Sequence, residues 1–180
     1  MKPDDDFVRQ LLETHDCFVV GSYAAACYSR DNSFMDDNSD INLIVKPEVA
    51  SMLWEETTDA LLFYEEPGDE KLKMAPSRFK IGLESGKKLS IWASEKSREE
   101  FTRERIDLAH CAFAMSADNF FHPDLGRGEQ ALRKREILLT TPGRCNNPWN
   151  SLALAEKYLK RGFSLPKSTR ETMEARAGGT

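Results

Sequence analysis

The run Val19-Val20-Gly21-Ser22 and the later run Ser39-Asp40-Ile41-Asn42-Leu43-Ile44-Val45 decide the fold of this chain. The first predicts a short β-strand that ends in Gly-Ser at the start of a helix over residues 23–28. The second predicts a half-buried strand, because polar and apolar residues alternate before the run turns fully apolar and stops at Pro47. The sequence therefore predicts two strands joined by a helix and a polar loop over residues 29–39.

The Gly21-Ser22 turn is typical of an anion site. Backbone N–H groups point outward at a helix start, the helix dipole favours phosphate, and glycine lets a ligand approach closely. Asp40 and Asn42 are two positions apart, so both side chains leave the same face of the strand. Mg²⁺ is usually held by one or two carboxylates together with substrate oxygens, so a metal is expected on this face. Two structural alternatives stay open: the Gly-Ser pair only ends the strand tightly, and Asp40 only caps a strand edge.

The rest of the chain supplies further elements. Two strands are predicted over residues 79–83 and 88–93, and Glu84-Ser85-Gly86-Lys87 between them is a good hairpin signal. Apolar residues at helical spacing predict helices over residues 5–15, 49–63, 97–115, 129–138 and 151–161. This order predicts an α+β fold, in which a small mixed β-sheet is followed by helices collected at the C-terminal end.

Composition limits the class of protein. The chain has 180 residues, of which 40% are apolar and 31% charged, as expected of one folded domain with a helical appendage. Its longest apolar run is too short to span a bilayer, and its acidic N-terminus is unlike a signal peptide. The four cysteines form no Cys-x-x-Cys pair and no zinc spacing with the three histidines. We therefore expect a cytoplasmic protein with free thiols and no membrane partner.

The net charge of −5 is unevenly distributed. Residues 1–126 carry 14 basic and 25 acidic side chains, whereas residues 127–180 carry 11 basic and 5 acidic ones. A basic C-terminal part can meet phosphate, and it can equally be a solvated charged helix face. The sequence leaves both interpretations open.

Three more motifs extend the pattern. Residues 105–112 resemble the Arg-Arg-Asp-Phe-Thr-Ile-Asn-Ala motif of bacterial-type CCA-adding enzymes and poly(A) polymerases. Residues 122–128 resemble the Asp-Pro-x-Gly-Gly turn of the same family, and residues 146–163 resemble its neck-helix motif. These three motifs, the Gly-Ser turn and the Asp-x-Asp position at 40–42 together cover nearly the whole chain. In their order the chain resembles the head and neck of the polymerase-β-like nucleotidyltransferase superfamily.

Several polar positions depart from the family pattern. Asn42 stands where the second metal carboxylate belongs, and Ile106 replaces one arginine of the Arg-Arg-Asp motif. Cys111 replaces an asparagine of that motif, while Asn146 and Asn147 replace two aspartates of the neck motif. These departures predict a degraded active site, and whether Asn42 is natural or engineered stays open.

The resemblance implies a nucleotidyltransferase head over residues 1–126 and a basic helical neck over residues 127–180. It implies transfer of NMP from an NTP to a hydroxyl such as an RNA or tRNA 3′ end, with Mg²⁺ or Mn²⁺ as cofactor. Catalytic roles then fall on Asp40, Asn42 and Asp107, metal ligation on Asp40 and Asn42, and nucleotide binding on Gly21, Ser22 and Arg105. RNA contacts fall on the basic residues Arg133, Lys134, Arg135, Lys157, Lys160 and Arg161.

Rival interpretations remain for the protein and for single residues. The chain is alternatively a catalytically inactive module that binds nucleotide, RNA or a protein partner, or a transferase that modifies a protein or a small molecule. Asp107 alternatively holds a nearby backbone or arginine. Arg105 alternatively pairs with a surface carboxylate.

Overall fold

A seven-stranded mixed sheet forms the centre of the molecule. The computed structural model describes residues 6–36, 39–57, 62–63 and 77–179, with residues 62–63 described by their backbone alone. The strands are, in chain order, β1 (Cys17–Val20), β2 (Ile41–Val45), β3 (Leu62–Phe63), β4 (Arg78–Gly82), β5 (Lys88–Ala93), β6 (Ala114–Met115) and β7 (Phe120–Phe121). Their order across the sheet is β3-β4-β5-β2-β1-β6-β7. Only β2 and β5 pair in parallel, and every other pairing is antiparallel.

Seven helices surround this sheet within the described residues. They are α1 (Asp6–Thr14), α2 (Ser22–Ser29), α3 (Pro47–Thr57), α4 (Arg98–Arg105), α5 (Leu125–Lys134), α6 (Pro148–Lys160) and α7 (Lys167–Gly178). None of them is long and apolar enough to cross a membrane. The predicted α+β class, with a small mixed sheet and helices following it, is confirmed.

The two faces of the sheet bury different side chains. On one face Val19, Leu43 and Ile91 join a large core with residues of α1, α2 and α3. On the other face Phe18 and Ile44 pack with Phe101 of α4 in a smaller cluster, so this face is only partly covered. The strand period of two explains why neighbouring residues enter opposite clusters.

Local sequence fixes where α4 and α5 begin. Ser97 and Glu100 form a reciprocal capping box, so α4 starts at Arg98. The Asp124 carboxylate accepts from the Arg127 N–H at 3.1 Å and starts α5. Gly128 in α5 is required by close packing, because a Cβ there would lie 2.5 Å from Nε2 of His122.

The predicted helix over residues 97–115 is wrong beyond Arg105. The chain leaves the helix at Ile106, makes one turn of 3-10 helix at Ala109–Cys111 and enters β6. β6 pairs with Val19 and Val20 of β1. Apart from Asp107 and His110 this run is apolar, and periodicity alone cannot separate a helix from a buried strand in such a run. The open edge of β1 decides between the two.

Two other predicted helices have different bounds, α6 begins at Pro148 three residues before its predicted start, and one helix was not predicted. The helix predicted over residues 49–63 begins at Pro47 and ends at Thr57, and residues 62–63 form a strand; residues 58–61 lie outside the described residues. The helix predicted over 129–138 starts four residues earlier, because Asp124 caps it. The helix α7 was not predicted, because its first turns alternate Lys, Ser, Thr and Arg without an apolar stripe.

The C-terminal helices share the core of the sheet. The buried cluster that holds Val19 also contains Ala155 and Tyr158 of α6, Phe163 between the two helices, and Met173 of α7. The division into a head over 1–126 and a neck over 127–180 stays a prediction, and its two parts meet through this common core.

The loop after α2 is tied to the C-terminal helices. Phe34 is buried and its ring packs edge-on against Phe163 with centroids 6.1 Å apart. The Asp31 carboxylate lies 3.8 Å from the Arg135 guanidinium, and Asp36 pairs with Arg161. Acidic residues of the front part of the chain thus neutralise basic residues of its C-terminal part.

His110 is a buried histidine in the contact between the 3-10 turn and α6. It is fully buried, and its ring packs against Tyr158 and Phe163 with centroids 4.1 and 4.8 Å away. Neither ring nitrogen has a hydrogen-bond partner within the described part of the chain. Burial, with the Arg161 charge as a smaller cause, lowers the pKa of His110 to about 3, so the ring is neutral in the folded protein.

We predict that His110→Phe flattens the acid side of the stability curve. The folded pKa lies below the unfolded value of 6.5, so only the unfolded chain accepts a proton as the pH falls from 6.5 towards 3. The free energy of unfolding contributed by this group is therefore complete above pH 6.5 and is lost below it, by up to about 1.4 kcal/mol per pH unit. Urea unfolding at several pH values between 7 and about 4.5 measures the slope. An unchanged slope in the variant contradicts the prediction, and above pH 7 the two slopes should agree.

Candidate functional site

Gly21 brings the two predicted polar runs together. It ends β1 with φ 87° and ψ −154°, a backbone conformation that is essentially restricted to glycine. A Cβ on Gly21 would lie 3.5 Å from Nδ2 of Asn42, so the Gly-Ser turn and the Asp40–Asn42 strand are direct neighbours. We call the group of Gly21, Ser22, Asp40 and Asn42 at this end of the sheet the Gly21 edge.

The N-terminus of α2, the positive end of the helix dipole, lies at the Gly21 edge. The first N–H groups of a helix have no partner inside it, and the helix dipole makes this end favourable for anions. The first turn of α2 holds no acidic residue, and Ser22 is half-buried. The N–H of Gly21 itself is taken, since it donates to the Phe113 carbonyl at 3.2 Å.

Tyr158 of α6 lies against the Gly21 edge. The tyrosine is 2% exposed, and the Cys111 thiol donates to its hydroxyl at 3.4 Å. Burial raises the pKa of Tyr158 well above its usual value, the Cys111 thiol raises it further, and a hydrogen bond with the Ser22 side chain opposes the rise. The hydroxyl is therefore a neutral hydrogen-bonding group beside Ser22.

Asp40 is engaged by a lysine that the sequence analysis did not single out. The Lys80 ammonium lies 2.9 Å from Oδ2 of Asp40, and the two side chains are 12% and 25% exposed. Lys80 and Asn42 both lie directly beside Ser90 of β5 in the sheet register. The signal for Lys80 was its alternation with buried Phe79 and Ile81, but the strand order that carries it to Asp40 is not readable from sequence.

The donors at the Gly21 edge do not fit a two-metal centre. Asp40 is the only carboxylate of the pair predicted to bind metal, and the Lys80 ammonium already contacts it. Asn42 offers a neutral carbonyl oxygen, whereas hard cations prefer charged oxygens. Within the described residues no group of three or more His, Cys, Asp or Glu side chains is arranged to hold a metal ion. We therefore derive no catalytic step through a metal.

The Asp107 carboxylate connects the segment after α4 to the start of α6. Its buried carboxylate accepts from the N–H groups of Asn146 and Asn147 at 2.8 and 2.7 Å and from the Ser151 hydroxyl at 2.9 Å. The Cys145 thiol donates to it at 3.5 Å. These contacts match the structural alternative for Asp107, and a catalytic role for it stays a prediction.

Arg105 lies two residues before Asp107, and its side chain faces solvent. It is exposed, and no hydrogen bond or ion pair of its guanidinium is found in the described part of the chain. Its backbone carbonyl accepts from the Asn147 side-chain amide at 3.5 Å. Its guanidinium is therefore available to phosphate, and the predicted nucleotide contact stays a prediction.

The predicted RNA-binding residues divide into two groups. Arg135 and Arg161 are held by the loop after α2, where Arg135 also donates to Ser33 and Arg161 donates to Ser39 at 3.2 Å. RNA contact by these two residues would require their ion pairs with aspartates to open. The other four predicted residues are exposed: Arg133, Lys134, Lys157 and Lys160.

One aromatic residue of α6 is strongly exposed. Trp149, in the first turn of α6, is 69% exposed and does not belong to the core.

A cleft of about 420 Å³ opens at the opposite end of the sheet from the Gly21 edge, bordered by Lys46, Arg98 and Asp118. It includes none of the predicted site residues.

We predict that Asp107→Ala lowers the free energy of unfolding by about 3 kcal/mol, because several buried donors lose a charged acceptor together. Asp107→Asn should cost less, since the amide keeps one carbonyl acceptor. Urea unfolding measures both, with Asp118→Ala as the control because Asp118 is exposed. If the free energy of unfolding falls no more in Asp107→Ala than in Asp118→Ala, the Asp107 hydrogen bonds do not hold the start of α6.

Comparisons with known proteins give a likeness of structure only. No protein-family model and no curated protein matches the chain. A structure of the Thermotoga maritima CCA-adding enzyme complexed with tRNA matches with a TM-score of 0.57 and 14% identity over 96% of this chain and 42% of that enzyme. CCA-adding enzyme with ATP matches with a TM-score of 0.60 and 16% identity over 97% of this chain and 42% of that enzyme, and the CTP complex matches with 0.58 and 15% over 99% and 43%. The chain spans less than half the length of these enzymes, and what it shares with them is a nucleotidyltransferase-like α+β fold.

Proposed function

We propose that this chain is a nucleotidyltransferase-fold module that binds the phosphates of a nucleoside triphosphate at the Gly21 edge and has weak transfer chemistry. The observation that carries the proposal is that the Gly21 turn at the start of α2 lies beside Asn42, so that a Cβ on Gly21 would be 3.5 Å from the Asn42 amide nitrogen. Backbone N–H groups, the helix dipole and a neighbouring amide suit an anionic ligand there.

The solved neighbours support a nucleotide ligand. CCA-adding enzymes of this fold have been solved with CTP and with ATP, and this chain aligns with them over nearly its whole length. The proposal carries the ligand class over to this chain.

The polar groups argue that chemistry is weak. Asn42 removes one full negative charge from the Gly21 edge, and Lys80 holds the remaining carboxylate. The loss of one electrostatic stabiliser costs about 10²–10³-fold in rate in well-studied enzymes. Binding does not need the missing carboxylate, so the fold can keep a nucleotide after losing efficient transfer.

RNA is proposed as the macromolecular partner. The exposed cations Arg133, Lys134, Lys157 and Lys160 can meet a phosphate backbone, and one solved neighbour is complexed with tRNA. Arg135 and Arg161 are already paired with aspartates, so we place RNA first on the four exposed residues.

Thermal shift and calorimetric titration with each of the four NTPs test the nucleotide proposal. We expect a rise in Tm, because a ligand at about 100 times its Kd stabilises the folded state by about 2.7 kcal/mol. Gly21→Ala should abolish the rise, and its strained backbone should also cost about 1–3 kcal/mol of stability. Because Gly21→Ala could fail to fold, Ser22→Ala is the second variant, and it should weaken binding at unchanged fold.

Gly178→Ala is the matched control for Gly21→Ala, because a Cβ at Gly178 meets nothing within 4 Å. It should bind NTPs like the unaltered protein. No shift with any NTP, or equal binding by Ser22→Ala and the unaltered protein, would exclude a nucleotide at the Gly21 edge.

A second candidate function is transfer of NMP to an RNA 3′ hydroxyl. It is favoured by Asp40, the carboxylate that the Asp-x-Asp position keeps. Binding of Mg²⁺ or Mn²⁺ by Asp40 and Asn42 belongs to this candidate, and it requires Lys80 to leave Asp40.

Incubation with labelled NTPs, Mg²⁺ or Mn²⁺, and tRNA or short RNA tests transfer. Pyrophosphate release that disappears in Asp40→Ala and rises about 10²-fold in Asn42→Asp supports this candidate. Release that is absent in both the unaltered protein and Asn42→Asp excludes it and leaves the binding module.

A further inference from the structure

Lys80 occupies the position of a cation at the Gly21 edge. Its ammonium lies 2.9 Å from Asp40, within hydrogen-bond distance and close to the length of an ordinary charge-assisted bond. Only 12% of the lysine side chain is exposed, so the pair is largely shielded from water and from salt. The contact is thus a built feature of the site rather than a surface ion pair.

The sheet register explains how a lysine from β4 reaches a carboxylate beside β2. Lys80 and Asn42 flank Ser90 in one lateral row, and Asp40 leaves the same face of the sheet as Asn42. Ser90 is fully buried and small, so the lysine side chain can cross over it. Lys80, Ser90 and Asn42 therefore act as one polar row under the Gly21 edge.

The charges of this row are matched. The Asp-x-Asp arrangement implied by the resemblance sets two carboxylates against a divalent cation. Here Asn42 leaves a single carboxylate, and Lys80 supplies a single positive charge to it. With Lys80 present and an aspartate in place of Asn42, one half-buried carboxylate would have no positive partner. With Asn42 present and no lysine at position 80, Asp40 would lose its ion pair.

A second cation lies on the same strand and the same face. The Arg78 guanidinium stacks on Trp92 with its carbon 4.1 Å from the ring centroid. It is two residues from Lys80, so the two side chains share one face of β4. Arg78 pairs with Trp92 in the sheet register, one row further from the Gly21 edge than the pair of Lys80 and Ser90. Its positive charge adds to that of Lys80 on this face of β4, and two positive charges on one strand face favour an anion.

We propose that the Lys80 ammonium is the resident cation of the Gly21 edge and that polyphosphate binds there without a divalent metal. Asp40 acts as the positioning residue that holds the ammonium. The proposal rests on nucleotide binding at the Gly21 edge for its ligand, whereas its exclusion of metal does not depend on that binding.

Mn²⁺ titration of the nucleotide-free protein, followed by the electron paramagnetic resonance signal of free Mn²⁺, tests the exclusion of metal. We expect no saturable binding by the unaltered protein and saturable binding by the double variant Lys80→Met with Asn42→Asp. Saturable binding by the unaltered protein that is lost in Asp40→Asn overturns the proposal. A folded double variant that still binds no Mn²⁺ also overturns it, because Lys80 and Asn42 then do not decide metal binding.

ATP titration in EDTA and in Mg²⁺ tests the ligand. We expect equal affinities in the two buffers for the unaltered protein, and an affinity about tenfold weaker for Lys80→Met, equivalent to about 1.4 kcal/mol. Lys167→Met is the matched control: this lysine is 87% exposed, pairs with Glu171 at 3.6 Å and lies on α7. Binding only in Mg²⁺, or equal losses in the two variants, contradicts a resident lysine.

The two titrations separate the failure of this inference from the failure of the proposed function. ATP that binds in neither buffer removes the nucleotide proposal, while the Mn²⁺ titration still decides whether Lys80 excludes a metal. ATP that binds in Mg²⁺ alone keeps the nucleotide proposal and removes the resident lysine.

Discussion

The buried carboxylate of Asp107 is the interaction on which the arrangement of the C-terminal half depends. It accepts from two successive backbone N–H groups at the start of α6 and from the Ser151 hydroxyl one turn later. A carboxylate at the positive end of a helix is favoured by the dipole as well as by these hydrogen bonds. With its N-terminus fixed in this way, α6 carries Tyr158 to the Gly21 edge about 15 Å further along its axis, at 1.5 Å per residue.

Charge in this protein is largely matched within the chain. The loop after α2 carries the aspartates that pair with Arg135 and Arg161, and Asp40 carries Lys80. The net charge of −5 therefore says little about which surface meets an anion. Apart from Lys80 at the Gly21 edge, the side chains that remain for a partner are those that no aspartate holds, such as Arg105 and the exposed lysines of α6.

The local parts of the fold were predictable because their signals are local. The Gly-Ser turn needs a positive φ at Gly21, and the hairpin needs a turn at Gly86; both were readable from a few neighbouring residues. The start of α6 at Pro148 was missed by three residues, although proline is common in the first turn of a helix. The α+β class followed from the order of the elements.

The features that the sequence did not predict depend on contacts between residues distant in the chain. Residues 106–115 leave helical structure because β1 offers them an open edge, and no local pattern reports that edge. The Lys80–Asp40 pair depends on the strand order β4-β5-β2. In this order β5, which pairs with β2 in parallel, lies between β4 and β2, and those two strands are distant in sequence. The role of Asp107 was ambiguous for the same reason, because its partners lie about 40 positions later.

The four cysteines are all buried and free, and two of them lie where α6 meets the rest of the protein. The Cys111 thiol donates to Tyr158 and the Cys145 thiol to Asp107, and burial raises the pKa of Cys111 to about 11. Both are therefore unreactive thiols as long as α6 stays docked. The chain thus contains a native chemical reporter: the rate at which a thiol reagent reaches Cys111 and Cys145 measures how often α6 separates from the sheet.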